Sequence, residues 1–253
     1  MTKTLSAQFN HTVRRLVTTG LAAGAVAATA SLVAPTTASA APSVCGKMSA
    51  AKCQVVAHVD VDGDGAKDAV AIVPKKIDKH GYAHATRVRV KTADGKLMKK
   101  TIKHTQWSAN HPPYRGAATI DGRKGHELVL THQVGAHTMW YRVLTVRNGR
   151  LTTLAAPKLP GTTKSKDWFT DSALNSTGGI NRHKGKAPVL IFKYGTRTSA
   201  GAGVDRSPYF SGRTVRVRWQ HGGWKRISVT KHHWAPKTAT KIAGWHLKGL
   251  KGM

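Results

Sequence analysis

The sequence predicts an all-β protein built from a strand-rich unit of about 60 residues. Three observations support this prediction. One sequence pattern occurs three times at a nearly constant spacing, which is the signature of a repeat architecture. Short apolar runs alternate with period two, as strands do, and Gly-containing residue pairs separate these runs. We find no convincing amphipathic helix.

Residues 1–40 have the features of a cleavable export signal and are excluded from the fold. Arg14 and Arg15 lie in a positive segment without acids, and the range 16–34 is apolar and rich in alanine. Ala38 to Ala40 form a small-x-small cleavage pattern, so we expect the mature chain, residues 41–253, to be secreted. An uncleaved anchor is disfavoured because the run has few strong hydrophobes. No other segment could span a membrane, and the Sec and twin-arginine routes both stay open.

Two cysteines, Cys45 and Cys53, follow the predicted cleavage site and are the only two in the chain. In an exported protein, two cysteines eight positions apart favour one local disulfide. A metal site made of these two alone is disfavoured, because no histidine or further cysteine lies at ligand spacing. The disulfide would hold the mature N-terminus beside the first strand.

The first copy of the repeated pattern contains a compact acidic loop, DVDGDGAKD, from Asp60 to Asp68. Its carboxylates occupy loop positions 1, 3, 5 and 9, and Gly65 stands at position 6, where the chain must turn. Ca²⁺ takes six to eight oxygen ligands in a flexible shell, whereas Mg²⁺ tends to keep its waters. The loop therefore predicts a calcium site. The expected ligands are the carboxylates of Asp60, Asp62, Asp64 and Asp68 and the backbone carbonyl of Ala66.

The flanking sequence excludes an EF-hand. An EF-hand needs a glutamate at position 12 and a helix on each side of the loop. Position 12 here is Ala71, and the flanks QVVAHV and AVAIV have the composition of strands. An Asp- and Gly-rich turn without metal is the alternative, but four clustered carboxylates repel one another unless a cation neutralises them.

The pattern that starts at Asp62 returns in weaker form at Asp121 (DGRKGHELVLTH) and at Asn181 (NRHKGKAPVLIF). Both later loops have lost most of the acidic side chains that a metal needs. We expect Arg123 to bond Asp121 or Glu127 and to replace the ion in holding the second loop.

Each loop is followed by apolar alternation, a tight turn and another alternating run. The turns are Asp94-Gly95, Asn148-Gly149 and Gly222-Gly223, which tolerate the positive φ that tight hairpins require. The sequence therefore predicts three β-hairpins, over Thr86–Lys103, Met139–Leu154 and Arg213–Val229.

Tryptophans recur after the hairpins. Trp107, Trp168 and Trp234 follow the three hairpin regions, and we expect them to belong to the core. Trp224 lies beside a Gly-Gly turn and is the better candidate for an exposed ring that could stack on a sugar.

The D-x-D-G-D-G-x-x-D loop with its following apolar strand, repeated at about 60 residues, resembles the FG-GAP or VCBS-type repeat. In that family each repeat is one blade of a β-propeller, and the loops bind calcium. The resemblance implies a propeller-like array of three to four antiparallel blades in one domain, residues 41–253. Three and a half repeats do not decide whether the propeller closes, and three alternatives stay open. The strand near Val55-Val56 could complete a fourth blade with the segment near Ile242, the array could stay open, or a second chain could assemble with it.

The charge and the motifs favour binding over catalysis. The chain has 41 Lys and Arg against 11 Asp and Glu, a formal charge of +30, and such a surface attracts polyanions of any kind. His126, His132 and His137 lie near the second loop, but no catalytic motif accompanies them. We expect a secreted, calcium-binding, non-catalytic module for an anionic cell-wall or extracellular polymer. A lectin and a secreted hydrolase are the alternatives, and nucleic acid stays open through charge only.

Overall fold

The computed structural model describes residues 43–108, 113–162, 166–183, 188–198 and 209–251, with the backbone alone described at 105–108. These residues form fourteen strands and one short helix. The elements are β1 (Gln54–Val59), β2 (Asp68–Ile77), β3 (Tyr82–Lys91), β4 (Leu97–Ser108), β5 (Tyr114–Ala118), β6 (Glu127–Val134), β7 (Thr138–Arg147), β8 (Arg150–Leu154), β9 (Trp168–Asp171), β10 (Ser176–Arg182), β11 (Val189–Arg197), β12 (Phe210–Gln220), β13 (Gly223–Trp234), α1 (Pro236–Thr240) and β14 (Gly244–His246).

The strands build two sheets. The first has four strands in the order β1-β2-β3-β4, all antiparallel. The second has the path β13-β12-β11-β10-β9-β7-β6-β5, with β8 paired to β7 and β14 paired in parallel to β10. The all-β prediction is confirmed. No closed barrel or propeller is found among the described residues.

Each copy of the repeated pattern forms the same local topology. A strand leads into the loop, and three antiparallel strands follow it. We call β1–β4 the first unit, β5–β8 the second unit and β10–β13 the third unit.

All three predicted hairpins are confirmed, but two of their turns differ from the predicted residue pairs. Between β3 and β4 the Thr92 N–H donates to the Lys96 carbonyl at 2.9 Å, so the loop contains three residues, and Gly95 has a φ of 92°. The turn between β12 and β13 is formed by His221 and Gly222, at φ of 50° and 78°, rather than by Gly222 and Gly223. The turn at Asn148-Gly149 lies as predicted, with φ of 49° and 66°. Two consecutive positive φ angles match the right-handed twist of the flanking strands.

The three units are joined by two hydrophobic cores because β6 is apolar on both faces. Leu128 and Leu130 pack with the first unit, against residues such as Val70 and Val88. Val129, on the opposite side of the same strand, packs into a core that contains the third unit. Successive strand residues point to opposite faces, so this continuous apolar run places the second unit between the other two.

The N-terminal segment covers part of the first sheet. Cys45 and Cys53 form the predicted disulfide, with Cα atoms 5.7 Å apart. Together with Val44 they pack against Ala71 and Val73 of β2. These two β2 residues face away from the second unit, so the clip shields an apolar surface that the sheet alone would expose.

The C-terminal segment does not complete a blade with β1, and that alternative is wrong for the described residues. Ile242 is buried beside β10, where its carbonyl lies 1.6 Å from the position of a Cβ at Gly179. Only glycine fits there. The chain then continues through β14, and Leu250 bridges to Gly116 of β5.

None of the described residues belongs to a helix long and apolar enough to cross a lipid bilayer.

Candidate metal loop and the surrounding charges

The first loop connects β1 to β2 and is wound around the carboxylate of Asp60. Asp60 Oδ1 accepts a hydrogen bond from the Gly63 N–H at 2.6 Å, and Oδ2 accepts one from the Gly65 N–H at 3.0 Å. Gly63 and Gly65 have φ of 88° and 94°, a conformation that other residues rarely adopt. These turns bring the carboxylates of Asp60 and Asp62 close to that of Asp68.

Asp68 begins β2 and is fully buried. Its Oδ2 accepts from the Val61 N–H at 2.7 Å, and its Oδ1 accepts from the Ala93 N–H at 3.1 Å. Burial raises the pKa of Asp68 despite these two bonds, and the nearby charge of Asp62 raises it further. A second negative group therefore lies close to a carboxylate that is already poorly solvated.

Asp60, Asp62 and Asp68 each offer one carboxylate oxygen, and these oxygens lie within 4.8 Å of one another. Oxygens bound to Ca²⁺ lie about 2.3–2.6 Å from the ion, so two ligands on opposite sides are about 4.6–5.2 Å apart. The three oxygens thus fit around one cation of this size. Other groups of three or more His, Cys, Asp or Glu at such distances are not found in the described part of the chain.

The other two predicted ligands are Asp64 and Ala66, and neither belongs to this group of three carboxylates. The carboxylate of Asp64 is exposed and lies outside the group of three. Its Oδ1 accepts from the Ala66 N–H at 2.7 Å. Ligation by Asp64 and by the Ala66 carbonyl stays a prediction.

The second loop, between β5 and β6, repeats the backbone arrangement with different side chains. Glu127 takes the place of Asp68 at the start of β6 and is also fully buried. Its Oε2 accepts from the Ile120 N–H at 2.6 Å, just as Asp68 accepts from Val61. The hydroxyl of Thr145 donates to Oε1 at 3.1 Å.

Two arginines supply the positive charge in the second loop. Arg147, from β7, forms an ion pair with Asp121, whose side chain is completely buried. Arg182, from β10, donates to the Thr119 carbonyl and lies close enough to Glu127 to favour its ionised form. The third unit therefore contributes a cation to the loop of the second.

The prediction that Arg123 replaces the ion is wrong. Arg123 is exposed at the tip of the loop, and its backbone N–H, not its guanidinium, donates to Asp121 Oδ1 at 2.9 Å. The position aligned with Asp64 points outward in both loops. The compensating charges come instead from strands that pack beside the loop, at positions far away in sequence.

Burial dominates the electrostatics of Glu127. It raises the pKa of Glu127 to about 7, although the bonds from Ile120 and Thr145 and the charge of Arg182 oppose the shift. Burial also lowers the pKa of Arg147 and of Arg182. The second loop thus contains buried carboxylates whose charge is offset by one arginine from the second unit and one from the third unit.

The third loop offers no aspartate or glutamate among its described residues. The side chain of Asn181 accepts from the Arg182 N–H at 2.7 Å. His183 bonds through its backbone N–H to the Val189 carbonyl at 2.9 Å. Ala187 takes the position of Asp68 when the third copy of the pattern is aligned with the first, and it lies outside the described residues.

The first two loops touch each other. The Asp60 carbonyl accepts from the His126 N–H at 2.9 Å and lies 3.0 Å from His126 Nδ1. A Cβ at Gly125 would lie 2.6 Å from the Val61 carbonyl oxygen. The backbone carrying the first metal ligand is therefore positioned by the second loop.

The three histidines that lie near the second loop in the sequence, His126, His132 and His137, are separated in the structure. His132 Nε2 lies 3.1 Å from the carboxylate of Asp167, which also pairs with Arg142. His126 contacts the first loop, and His137 is exposed. The three histidines do not converge on one centre.

The first sheet carries a strongly basic face on the side away from the second unit. Its cations alternate along β3 with the buried Val88 and Val90, and they continue on β4. Arg89 pairs in register with Lys99. We call this surface the basic face, and its residues are Arg87, Arg89, Lys91, Lys99 and Lys103. The sequence showed the net charge, but only the strand register places these cations on one face.

The tryptophan predictions have mixed outcomes. Trp168 is buried in the core as predicted, and Trp234 is half-buried against His232. The ring of Trp224 is half-buried rather than exposed, because it packs edge-on against Trp168 and Trp219. Its Nε1 donates to the Ala155 carbonyl at 2.8 Å. The core prediction for Trp107 lies outside the described side chains.

Comparison with family models, with curated proteins and with solved structures found no match to this chain. Membership of the FG-GAP or VCBS-type repeat family therefore stays a prediction, based on the Asp60–Asp68 loop and on the period of the repeat.

Proposed function

We propose that this protein is a secreted, calcium-stabilised, non-catalytic module that binds an anionic cell-wall or extracellular polymer. The observation that carries the proposal is the basic face of the first sheet. Arg87, Arg89 and Lys91 occupy every second position of β3, about 7 Å apart along the strand. Lys99 and Lys103 add a second row on the neighbouring β4.

The geometry of this face suits an extended polymer with regularly spaced negative charges. Adjacent strands lie about 4.8 Å apart, so the two rows form a flat ladder of cations rather than a closed pocket. Lys99 and Lys103 are exposed, and the arginines are half-buried with part of their bonding already used. Arg89 Nε, for example, donates to the Val44 carbonyl at 2.7 Å. The face is thus partly organised before any ligand arrives.

The proposed role of calcium is structural. Asp60, Asp62 and Asp68 would hold the ion, whose charge would offset the repulsion among their carboxylates. Because Asp60 follows β1 and Asp68 begins β2, the site would tie these two strands together. The three stacked units would then be blades of an open, propeller-like array, with the ion at one end.

Polymer binding is tested with two charge-matched double variants. Lys99→Gln with Lys103→Gln removes two exposed cations from the basic face. Lys237→Gln with Lys241→Gln removes the same charge near α1. Each cation close to an anionic surface contributes about 1 kcal/mol, so the first variant should bind a poly(glycerol phosphate) or heparin column at least tenfold more weakly at about 0.1 M salt.

The control variant should bind nearly as well as the wild type. Equal losses in both variants would contradict the proposal, because binding would then follow net charge alone. Stronger binding to duplex DNA than to either polymer would also contradict it.

A further inference from the structure

The third unit carries a polar groove on the same face of its strands as the hydrophobic core. The groove has a volume of about 590 Å³ and crosses the strands β9 to β13 where they extend past the core. Two rows of residues paired across the strands line it. The rows are Ser176, Thr196, Ser211 and His233, and Tyr194, Arg213 and Lys231. Its volume lies in the range of small-ligand sites.

One end of the groove is cationic. Arg213 and Lys231 pair directly across β12 and β13, so their side chains share one face. Arg213 Nη1 donates to the Pro160 carbonyl at 2.9 Å, and the Tyr194 hydroxyl donates to the same oxygen at 2.6 Å. The guanidinium is thereby fixed by one nitrogen, while Lys231 is exposed beside it. This arrangement provides a pre-organised pair of donors for an anionic group.

The other end combines a hydrogen-bond acceptor with an aromatic ring. Asp171 Oδ2 accepts from the Ser176 hydroxyl at 2.5 Å, and Oδ1 accepts from the Ala173 N–H at 3.2 Å, so the carboxylate is held in place. Phe169 lies over Gly178, with a ring carbon 3.3 Å from the position of a Cβ. The glycine leaves space for the ring at the groove wall.

We propose that this groove binds one acidic sugar residue, a uronate or a sugar phosphate, of the polymer. Arg213 and Lys231 receive its anionic group, Asp171 accepts from its hydroxyls, and Phe169 packs against its ring. A ligand with charges on all sides would be repelled by Asp171, and a neutral sugar would leave the cations unused. The inference rests on the proposed function for the class of polymer, and it adds which unit of that polymer is recognised.

The test uses three small probes, glucuronate, glucose 1-phosphate and methyl glucoside, with binding to the full protein measured by ligand-observed NMR and calorimetry. At least one acidic probe should bind about tenfold more tightly than methyl glucoside, because hydrogen bonds to charged groups carry this much discrimination. The stronger of the two acidic probes identifies carboxylate or phosphate as the preferred anion.

Two lysine variants on the same strand locate the site. Lys231→Gln should weaken binding of the acidic probe about tenfold, whereas Lys225→Gln, on the same strand outside the groove, should leave it unchanged. Asp171→Asn should weaken the acidic probe and methyl glucoside alike. Equal binding of charged and neutral probes, or equal losses in both lysine variants, would overturn the proposal.

The outcomes separate this inference from the proposed function. If no sugar binds while Lys99→Gln with Lys103→Gln still weakens polymer binding, the groove is wrong and the basic face stands. If an acidic sugar binds in the groove but the polymer is retained equally by all variants, the basic face is wrong and the groove stands.

Discussion

The first and second loops follow the same backbone design but differ in how their buried carboxylates are compensated. In each loop a buried acid at the start of a strand accepts an N–H from seven residues earlier, Asp68 from Val61 and Glu127 from Ile120. Around Glu127 and Asp121, arginines from two neighbouring strands provide positive charge. No described basic side chain forms an ion pair with Asp60, Asp62 or Asp68.

This contrast is informative because the chain has so many cations available. With 41 Lys and Arg, a permanent side-chain partner for the first loop would be easy to place. Its three carboxylates instead converge at ligand distance, as an exchangeable cation would require. The second loop shows what the same motif becomes when the cation is built into the fold.

The largest expected effect is at the built-in cation. Arg147→Gln leaves the Asp121 carboxylate buried without its ion pair, and breaking such a pair costs about 3 kcal/mol of unfolding free energy. Arg123→Gln, in the same loop but exposed, should change stability by less than about 0.5 kcal/mol. Urea denaturation of both variants checks the difference. A larger loss in Arg123→Gln than in Arg147→Gln would contradict the assignment.

An effect of similar size is expected in the first loop, but there the stability depends on added calcium rather than on an arginine. Calcium at 100 times its dissociation constant should stabilise the wild-type protein by about 2.7 kcal/mol. Asp62→Asn should abolish most of this gain, yet leave the calcium-free protein no less stable, because it removes a charge that repels Asp68. Thermal denaturation with calcium and with a chelator measures both states.

The Asp64→Asn variant sharpens the same comparison. Asp64 lies outside the group of three carboxylates, so this change should remove less of the calcium stabilisation than Asp62→Asn does. An unchanged calcium response in Asp62→Asn would refute a metal site formed by Asp60, Asp62 and Asp68.

Over any single pH unit, the smallest effect is the pH dependence of stability that belongs to the second loop. Folding raises the pKa of Glu127 from its ordinary 4.5 to about 7, so the native state binds more protons than the unfolded state between these values. The stabilising proton is fully bound below pH 4.5, and stability falls as the pH rises toward 7, by at most about 1.4 kcal/mol per pH unit. Glu127→Gln should flatten this part of the profile. If wild type and variant have parallel profiles between pH 5 and 7, Glu127 does not titrate as described.

The sequence predicted features that depend on local pattern. The alternation at Val88 and Val90 identified strands, and the Asn148-Gly149 pair identified a hairpin, because both signals lie within a few residues. The Asp60 to Asp68 spacing identified the acidic loop for the same reason. These predictions needed no knowledge of the tertiary structure.

Predictions that depended on distant partners failed. Arg147 and Arg182 lie 26 and 55 positions from the residues they compensate, Asp121 and Glu127, and only strand packing brings them together. Trp224 lies beside a turn, yet the core that the second and third units share extends far enough to bury part of its ring. The C-terminal path past β10 to β5 likewise has no local signature.

Calorimetric titration of Ca²⁺ into the chelator-treated protein tests the central claim most directly, because it counts the sites. The account predicts one ion per chain, bound by the first loop, with binding lost in Asp62→Asn and kept in Arg147→Gln. No binding, or a second ion that Asp121→Asn removes, would contradict the division into an ion-held first loop and an arginine-held second loop.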